Sequence, residues 1–464
     1  MSKRPNILFL MSDEHRPDVA GYEGNDVIRT PTLDRLAETG VVFRNAYTPS
    51  PVCIPARQCM MAGQLPKTCD CQTFGEDLPP FSHTFAHQFA RYAYHATCSG
   101  KLHHTGVDQM QGWTTRIAPD AEISNRHIPD TIEAEFARYK LASGTGKWSN
   151  QREIEEARVG DGPYQKYDRR AVRAALDYLD RYFDDPLYRR PQNHRPLLFK
   201  LSLLQPHYPF FTDRERFDYY HARVPLFVEE PCDHPVLSRS QQGKPVDASE
   251  DAIRNATAAY YGMIDTIDHQ FGSVLQRLED LGEDLDDWII VYTSDHGEML
   301  GEHGIWEKTR FFEASVRVPL IIRWPAGFDG GRVVNENVNL CDLYATLCEL
   351  AGLEIPPGLD SRSLVPLLRG NATDWDNETV SQMGRNHVMI KQDALKYQYY
   401  GEEVPEVLFD LERDPSETVN QAERSEYAET MTCFRTRLAE LGHGPNADPN
   451  YRNAGYGPAA VGRS

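Results

Sequence analysis

The chain has 464 residues, of which 40% are hydrophobic and 25% are charged, as in a globular protein with two or three domain-sized units. Its formal net charge is −20, and no Lys/Arg-rich stretch is present that could displace counterions from nucleic-acid phosphates. No apolar run approaches the ~20 residues of a membrane span. Neither nucleic acid nor a membrane is therefore expected as a partner.

Short apolar runs alternate with helical patterns over the first two thirds of the chain, which is typical of an α/β fold with a mostly parallel central sheet flanked by helices. The apolar runs predict strands at residues 6–12, 94–98, 197–203, 288–294 and 318–324. Apolar residues at helical spacing predict a helix capped by Thr30 and ended by Gly40, and two more at residues 171–182 and 260–281.

The pattern changes at about residue 375. Short segments at residues 388–390 and 407–411 predict a small antiparallel sheet, and a helix is expected near residues 427–441. We therefore expect a large α/β domain at residues 1–370, a small α+β subdomain at 371–445, and an extended tail at 446–464.

The nine cysteines are an odd number scattered over a long chain. This distribution is typical of reduced thiols and predicts a cytoplasmic location. The segment Cys69-Asp70-Cys71 is too tightly spaced for an ordinary zinc pair and is interpreted as two small buried or surface thiols.

Polar side chains follow four of the predicted strands. They are Asp13 after the first strand, Lys101 and His103 after the second, His207 after the third, and Asp295 and His296 after the fourth. Because the carboxyl ends of parallel strands meet at one edge of a sheet, these residues are expected to converge there. Each alone has an ordinary explanation as a turn, cap or core residue, and only their joint placement favours a functional site.

Cys53 precedes a predicted helix that has Pro55 in its first turn and ends at Gly63. Free backbone N–H groups and the helix dipole favour negative charge at this end, and Arg57 lies one turn further on. As a free thiol, Cys53 is expected to be a nucleophile of lowered pKa. A buried structural cysteine is the alternative that the spacing leaves open.

The segment Cys53-x-Pro55-x-Arg57, followed by Met61-Ala62-Gly63, resembles the signature of type I (formylglycine-dependent) sulfatases of the alkaline phosphatase superfamily. Further motifs occur in the family's order: Ser12-Asp13-Glu14, Gly100-Lys101-Leu102-His103, Gln205-Pro206-His207, Ser294-Asp295-His296-Gly297-Glu298, and Trp306-Glu307-Lys308 before Arg317-Val318-Pro319. The likeness spans about residues 5 to 370. It implies an alkaline-phosphatase-like fold with residues 1–370 as the catalytic domain and a smaller C-terminal antiparallel sheet.

The resemblance also implies the cofactors. A formylglycine-generating maturation enzyme would oxidise Cys53 to an aldehyde that hydrates to a gem-diol. The modified Cys53, with Asp13, Asp295 and His296, would bind one divalent cation. This ligand set favours Ca²⁺, with Mg²⁺ or Mn²⁺ as alternatives. Glu14 stands where the family often has a second acidic ligand, and its role stays open.

The same resemblance assigns roles in cleaving a sulfate monoester into an alcohol and inorganic sulfate. Arg57 would help to polarise the gem-diol, and Lys101 and Lys308 would neutralise charge on the sulfate oxygens. His207 would protonate the leaving alcohol, and His103 would take a proton from the second hydroxyl. The metal and these lysines would supply the local positive charge that a chain of net charge −20 otherwise lacks.

Two other functions are considered. A phosphonate monoester or phosphodiester hydrolase shares the formylglycine core, but the Lys101/His103 pair favours sulfate. An unmodified Cys53 would leave a non-catalytic anion-binding protein.

The segments at residues 99–116 and 311–319 resemble the choline-sulfatase-like branch, which implies a homo-oligomer. Trp113 is a candidate wall for a quaternary ammonium, or else a core residue. Carbohydrate, alkyl and aryl sulfates are equally open as substrates.

Overall fold

A computed structural model describes residues 4–118, 154–184, 195–226, 232–235 and 248–447. The strands are β1 (Ile7–Asp13), β2 (Val41–Phe43), β3 (Ala46–Tyr47), β4 (His95–Gly100), β5 (Thr115–Arg116), β6 (Arg158–Val159), β7 (Leu197–Pro206), β8 (Phe211–Thr212), β9 (Ile289–Ser294), β10 (Arg317–Val318), β11 (Leu320–Arg323), β12 (Arg332–Val334), β13 (Val338–Asn339), β14 (Glu378–Met383), β15 (His387–Gln392), β16 (Leu395–Tyr399) and β17 (Val407–Asp410). The helices are α1 (Pro31–Thr39), α2 (Cys53–Ala62), α3 (Pro66–Cys69), α4 (Phe85–Arg91), α5 (Pro163–Asp184), α6 (Arg214–His221), α7 (Glu250–Asp280), α8 (Glu313–Val316), α9 (Leu343–Leu350), α10 (Val365–Leu368) and α11 (Ala428–Glu440).

The central sheet has the strand order β12-β2-β11-β9-β1-β7-β4-β5. Strand β1 runs parallel to both of its neighbours, with Ile7 opposite Leu198 of β7 and Ile289 of β9. Every residue of β1, β7 and β9 is buried, because helices cover both faces of the sheet. The predicted α/β class and mostly parallel sheet are confirmed.

Four predicted strands are confirmed, with ends that move by up to three residues. The fifth prediction, residues 318–324, is wrong as a single strand. Arg317–Val318 pairs with β3 in a separate small sheet, whereas Leu320–Arg323 lies antiparallel to β9 in the central sheet. Pro319 separates the two strands, because proline has no N–H to contribute to a ladder.

The predicted helices lie on the two faces of the sheet. Helices α1, α5 and α7 bury their apolar residues in one core, and α2, α4 and α9 bury theirs in the other. The predicted cap of α1 is wrong in detail. The Thr30 hydroxyl accepts from the Gly21 backbone N–H at 2.8 Å and donates to Asp34 at 3.0 Å, so it does not cap the helix.

Strands β14 to β17 form the expected antiparallel sheet at the C-terminal end of the chain. Helix α11 packs on this sheet, and Phe434 stacks on Tyr397 with ring centroids 5.3 Å apart. Of the predicted tail at 446–464, residues 448–464 lie outside the described part of the chain. Among the described helices, none has the length and apolar character needed to cross a bilayer.

Candidate active site

Two neighbouring strands of the central sheet end at the same place. Asp13 is the last residue of β1, and Asp295 and His296 follow β9, where Ser12 and Ser294 are direct partners. All three site residues are fully buried. The parallel pairing of two apolar strands therefore brings two carboxylates and an imidazole to one edge of the sheet, although about 280 residues separate them in sequence.

Cys53 reaches this edge from the first turn of α2. Its Sγ lies 3.0 Å from His296 Nε2 and 3.9 Å from Asp13 Oδ1. The ligand atoms of Asp13, Cys53, Asp295 and His296 all lie within 4.8 Å of one another. Sheet and helix thus enclose one small polar volume.

The chemistry of these donors fits a divalent cation. His296 Nδ1 donates to the Gly297 carbonyl at 3.0 Å, which leaves the Nε2 lone pair directed at position 53. Burial lowers the pKa of His296, so its neutral, ligating form is favoured. Two carboxylates beside this imidazole complete a set of oxygen and nitrogen donors that suits Ca²⁺, Mg²⁺ or Mn²⁺.

Arg57 links the two carboxylates. Its Nε donates to Asp295 Oδ2 at 2.7 Å, and one terminal nitrogen donates to Asp13 Oδ2 at 2.8 Å. The guanidinium also donates to the Ser12 and Lys101 carbonyls and to Ser202 Oγ. A guanidinium has five N–H groups, and here all of them have protein acceptors. Arg57 therefore holds both carboxylates in fixed orientations.

Lys101 follows β4 and reaches Asp13, with 2.8 Å between Nζ and Oδ2. The turn into Lys101 requires glycine at position 100. Gly100 has φ 87°, and a Cβ there would lie 2.0 Å from the Ser202 carbonyl oxygen. Burial opposes charge on Asp13, but Lys101 and Arg57 hold the pKa of its carboxyl well below the usual value.

Lys308, His207 and Glu14 form a second group beside the first. Lys308 Nζ donates to Glu14 Oε2 at 2.9 Å and contacts His207 Nε2 at 2.7 Å. His207 Nδ1 donates to the Tyr208 carbonyl at 2.6 Å, so its Nε2 is the acceptor for Lys308. Asp13, Glu14 and His207 again have ligand atoms within 4.8 Å of one another.

His103 lies in the loop after Lys101 with φ 64°. It is buried, its carbonyl accepts from Gln58 at 3.3 Å, and its ring makes an edge contact with Phe74 at 5.7 Å. Trp113 is not a wall of the site. It is 2% exposed and packs against Phe85 in the core.

The expected low pKa of a bare Cys53 thiol is wrong. Burial raises this pKa far above its ordinary value, and the Asp13 carboxylate adds to the effect. The helix N-terminus does not offset these two causes. An unmodified thiol at position 53 is therefore a poor nucleophile in this fold.

Three contributors were not identified from sequence. Ser202 accepts from Arg57, Tyr208 lies with its ring 4.6 Å from Lys308 Nζ, and Glu298 accepts from the backbone N–H groups of Leu300 and Glu307. Glu298 thereby holds the loop that carries Lys308. Its place in the Ser294–Glu298 motif was the one available signal for it.

Comparisons with known proteins identify the family of the chain. Residues 5–353 match the family model described as Sulfatase, and residues 301–443 match N-sulphoglucosamine sulphohydrolase, C-terminal. Choline-sulfatase of Rhizobium meliloti (strain 1021) is 32% identical over 94% of this chain and 86% of its own length. Arylsulfatase of Clostridium perfringens (strain 13 / Type A) is 28% identical over 94% of each chain.

Among solved structures, the phosphonate monoester hydrolase of Agrobacterium radiobacter superposes with a TM-score of 0.76 at 23% identity, covering 94% of this chain and 95% of its own. This likeness concerns the fold. The Sulfatase family model covers three quarters of the chain, and the two relatives named above align over almost all of the chain. The chain therefore belongs to the sulfatase family of sulfuric ester hydrolases.

Proposed function

We propose that the chain hydrolyses a sulfate monoester to an alcohol and inorganic sulfate, with formylglycine made from Cys53 as the nucleophile. This proposal rests on one observation: the ligand atoms of Asp13, Cys53, Asp295 and His296 all lie within 4.8 Å of one another. A hydrated aldehyde at this position has one hydroxyl to attack sulfur and a second whose deprotonation releases sulfate. An unmodified serine or cysteine lacks the second hydroxyl.

One divalent cation held by Asp13, Asp295, His296 and the modified residue 53 would supply Lewis-acid polarisation when bound. Arg57 keeps the two carboxylates in place through its Nε and terminal nitrogens. Glu14 Oε2 accepts from Lys308 Nζ at 2.9 Å, and in this proposal Glu14 positions that lysine.

Charge on the sulfate oxygens is met by Lys101 and Lys308. Both ammonium groups are buried beside the site, where a low effective dielectric strengthens their attraction to an anion. Asp13 and Glu14 lie against these two cations. The divalent cation would add the net positive charge that an anionic substrate needs in a chain of net charge −20.

His207 donates the proton to the leaving alcohol in this proposal. Its Nε2 accepts from Lys308 at 2.7 Å, so this nitrogen has to be protonated before it can donate to the leaving group. His103 accepts the proton of the second hydroxyl. Phosphonate monoester hydrolysis is the second candidate, supported by the shared fold, and the Lys101/His103 pair favours sulfate over it.

The nucleophile is tested by mass spectrometry of the peptide that contains Cys53, purified from cells that hold an active maturation enzyme. Conversion to formylglycine lowers the mass by about 18 Da. Cys53→Ala should then reduce turnover of sulfate esters by at least about 10³-fold while the fold stays intact. Cys348→Ala, a change of another buried cysteine in α9, is the matched control and should keep its activity.

Turnover by Cys53→Ala within tenfold of the unchanged protein would refute the covalent role. A panel of choline, alkyl, aryl and carbohydrate sulfates, assayed beside phosphonate monoesters, identifies the substrate class. A preference for phosphonates with residue 53 converted would reject sulfate and keep the nucleophile.

A further inference from the structure

Four of the nine cysteines gather in one buried cluster behind the active site. Cys59, Cys69, Cys71 and Cys341 pack together with apolar side chains of α2 and its surroundings. Cys71 and Cys341 are at most 1% exposed, Cys59 is fully buried, and Cys69 is 6% exposed. The proposed sulfate chemistry uses none of these thiols. Cys69 and Cys71, which the sequence analysis interprets as two small thiols, thus have thiol neighbours from two other parts of the chain.

Within this cluster, one pair of thiols is in direct contact. The Sγ atoms of Cys59 and Cys69 are 3.5 Å apart. Cys59 lies in the interior of α2, and Cys69 is the last residue of the short helix α3. A disulfide bond measures about 2.05 Å between sulfur atoms, so the two sulfur atoms would have to approach by about 1.5 Å to form one.

The cluster is not arranged as a metal site. In the described part of the chain, the groups of three or more ligand atoms within 4.8 Å of one another both lie in the active site. A tetrahedral zinc site needs four such donors around one point. The contact between Cys59 and Cys69 is therefore a relation between two thiols.

We propose that Cys59 and Cys69 are a reversible dithiol–disulfide pair that fastens α2 to α3 under oxidising conditions. A small-molecule disulfide is the oxidant. The Cys69 thiolate attacks one of its sulfurs and releases the first small thiol, giving a mixed disulfide. The Cys59 sulfur then displaces the second small thiol. In sum, two protein thiols lose two protons and two electrons, and one small disulfide becomes two small thiols.

The order of these steps follows from access and acidity. Cys69 is the more exposed thiol of the pair, so it meets the reagent first. Burial raises the pKa of the Cys59 thiol well above the ordinary value, so Cys59 is the poorer first attacker. It acts second, when the mixed disulfide at Cys69 places its target sulfur close by. The new bond would close a loop between two cysteines that are ten positions apart in sequence. Helix α2 also carries Cys53 and Arg57, so the bond would restrain the element that supplies two site residues.

The test exposes the full-length protein to glutathione disulfide, then alkylates remaining thiols in denaturant and maps the peptides by mass spectrometry. We expect a peptide pair joined through Cys59 and Cys69, about 2 Da lighter than the two thiol peptides together, and its loss on treatment with dithiothreitol. The midpoint of thermal unfolding should rise by about 3 °C in the oxidised protein. Exposed Cys433 serves as the internal control, because it should form a mixed disulfide whenever the reagent is active.

Two matched variants test which cysteines form the bond. Cys69→Ala should abolish the joined peptide, and Cys71→Ala, a change two residues away in the same cluster, should keep it. The proposal is overturned if Cys433 reacts and Cys59 and Cys69 remain free thiols, or if fragmentation of the joined peptides places the disulfide bond at Cys71 or Cys341 instead. Whether Cys59 and Cys69 become oxidised is measured on the unchanged protein, so this outcome does not depend on how the variants fold. The state of Cys53 does not enter the test.

Discussion

The contact between Lys308 and His207 determines how a proton can reach the leaving group. His207 Nδ1 is committed to the Tyr208 carbonyl, and only Nε2 faces Lys308. Burial lowers the pKa of His207 well below its usual value, and the charge of Lys308 adds to this effect. The imidazole is therefore neutral in the free chain at neutral pH. It can donate a proton from Nε2 only after that nitrogen has been protonated, and the charge of Lys308 opposes this protonation.

We expect His207→Ala to impair substrates in proportion to how much their leaving groups need a proton. For alkyl or sugar sulfates, kcat/KM should fall about 10²- to 10⁴-fold, whereas activated aryl sulfates should lose less than about tenfold. Steady-state kinetics on one ester of each kind measures this difference. Equal losses on both kinds would remove His207 from the acid role.

At the scale of single residues, the sequence predicts which residue types form the site, and in which order, better than it predicts their contacts. Asp13, Cys53, Asp295 and His296 could be proposed together because each directly follows a recognisable strand or starts a helix. The bond from Arg57 to Ser202, and that from Lys308 to Glu14, depend on rotamers and on how two loops approach each other. No local pattern encodes such contacts.

At the scale of elements, Gly100 joins β4 to the site. The positive φ of Gly100 is a backbone conformation that few residues other than glycine adopt. In addition, a Cβ at this position would lie so close to the Ser202 carbonyl oxygen that no side chain fits unless β7 moves. Since Lys101 comes next in the chain, the position of one site residue depends on the absence of a side chain at its neighbour.

We expect Gly100→Ala to lower the free energy of unfolding by about 3–5 kcal/mol, the sum of backbone strain and a steric clash. Gly75→Ala is the matched control, because Gly75 also has a positive φ of 95° but has nothing within 4 Å of a Cβ. That change should cost only about 1–2 kcal/mol. Denaturant unfolding of both variants measures the two values. Similar losses would show that close packing against β7 contributes little.

The elements most accurately predicted are the long apolar strands and the amphipathic helices, whose periodicity extends over many residues. Two-residue strands such as Ala46–Tyr47 and Val338–Asn339 have no periodicity to detect, and tertiary pairing alone defines them. The error at residues 318–324 has a specific cause. An uninterrupted apolar run hid the change of sheet at Pro319, which the missing N–H of proline could have indicated.

At the scale of the whole molecule, a buried ionic cluster connects the C-terminal sheet to the central domain. Lys396 of β16 is fully buried and lies 2.9 Å from Glu313 and 2.7 Å from Glu417. Tyr47 donates to Glu313 as well, at 2.9 Å. We propose that residues 1–370 and 371–445 are catalytic domain and subdomain, and that this cluster holds them together.

The cluster predicts a dependence of stability on pH. Burial raises the pKa of Glu417 to about 7, with Lys396 opposing and Glu313 adding to the effect. Because folded Glu417 binds its proton more tightly than the unfolded chain does, stability should decline as pH rises from about 4.5 to 7. The decline from this group is on the order of 3 kcal/mol.

Glu417→Gln removes that titration. Its free energy of unfolding, relative to the unchanged protein, should therefore increase between pH 4.5 and 7, whatever constant offset the amide introduces. Exposed Glu412→Gln, in the same segment, should show no such trend. Denaturation curves at several pH values test this. A relative stability of Glu417→Gln that is flat across the window would contradict the assignment.

Cys53 is only 2% exposed in the finished fold, enclosed by strands from both ends of the central domain. A separate enzyme could not reach a side chain buried in this way. If Cys53 is converted to formylglycine as proposed, the maturation enzyme would therefore act while the segment around Cys53 is still unfolded, before β9 closes over it. Folded protein with a Cys53 thiol would then stay inert when mixed with the maturation enzyme, and would need to be unfolded to gain activity.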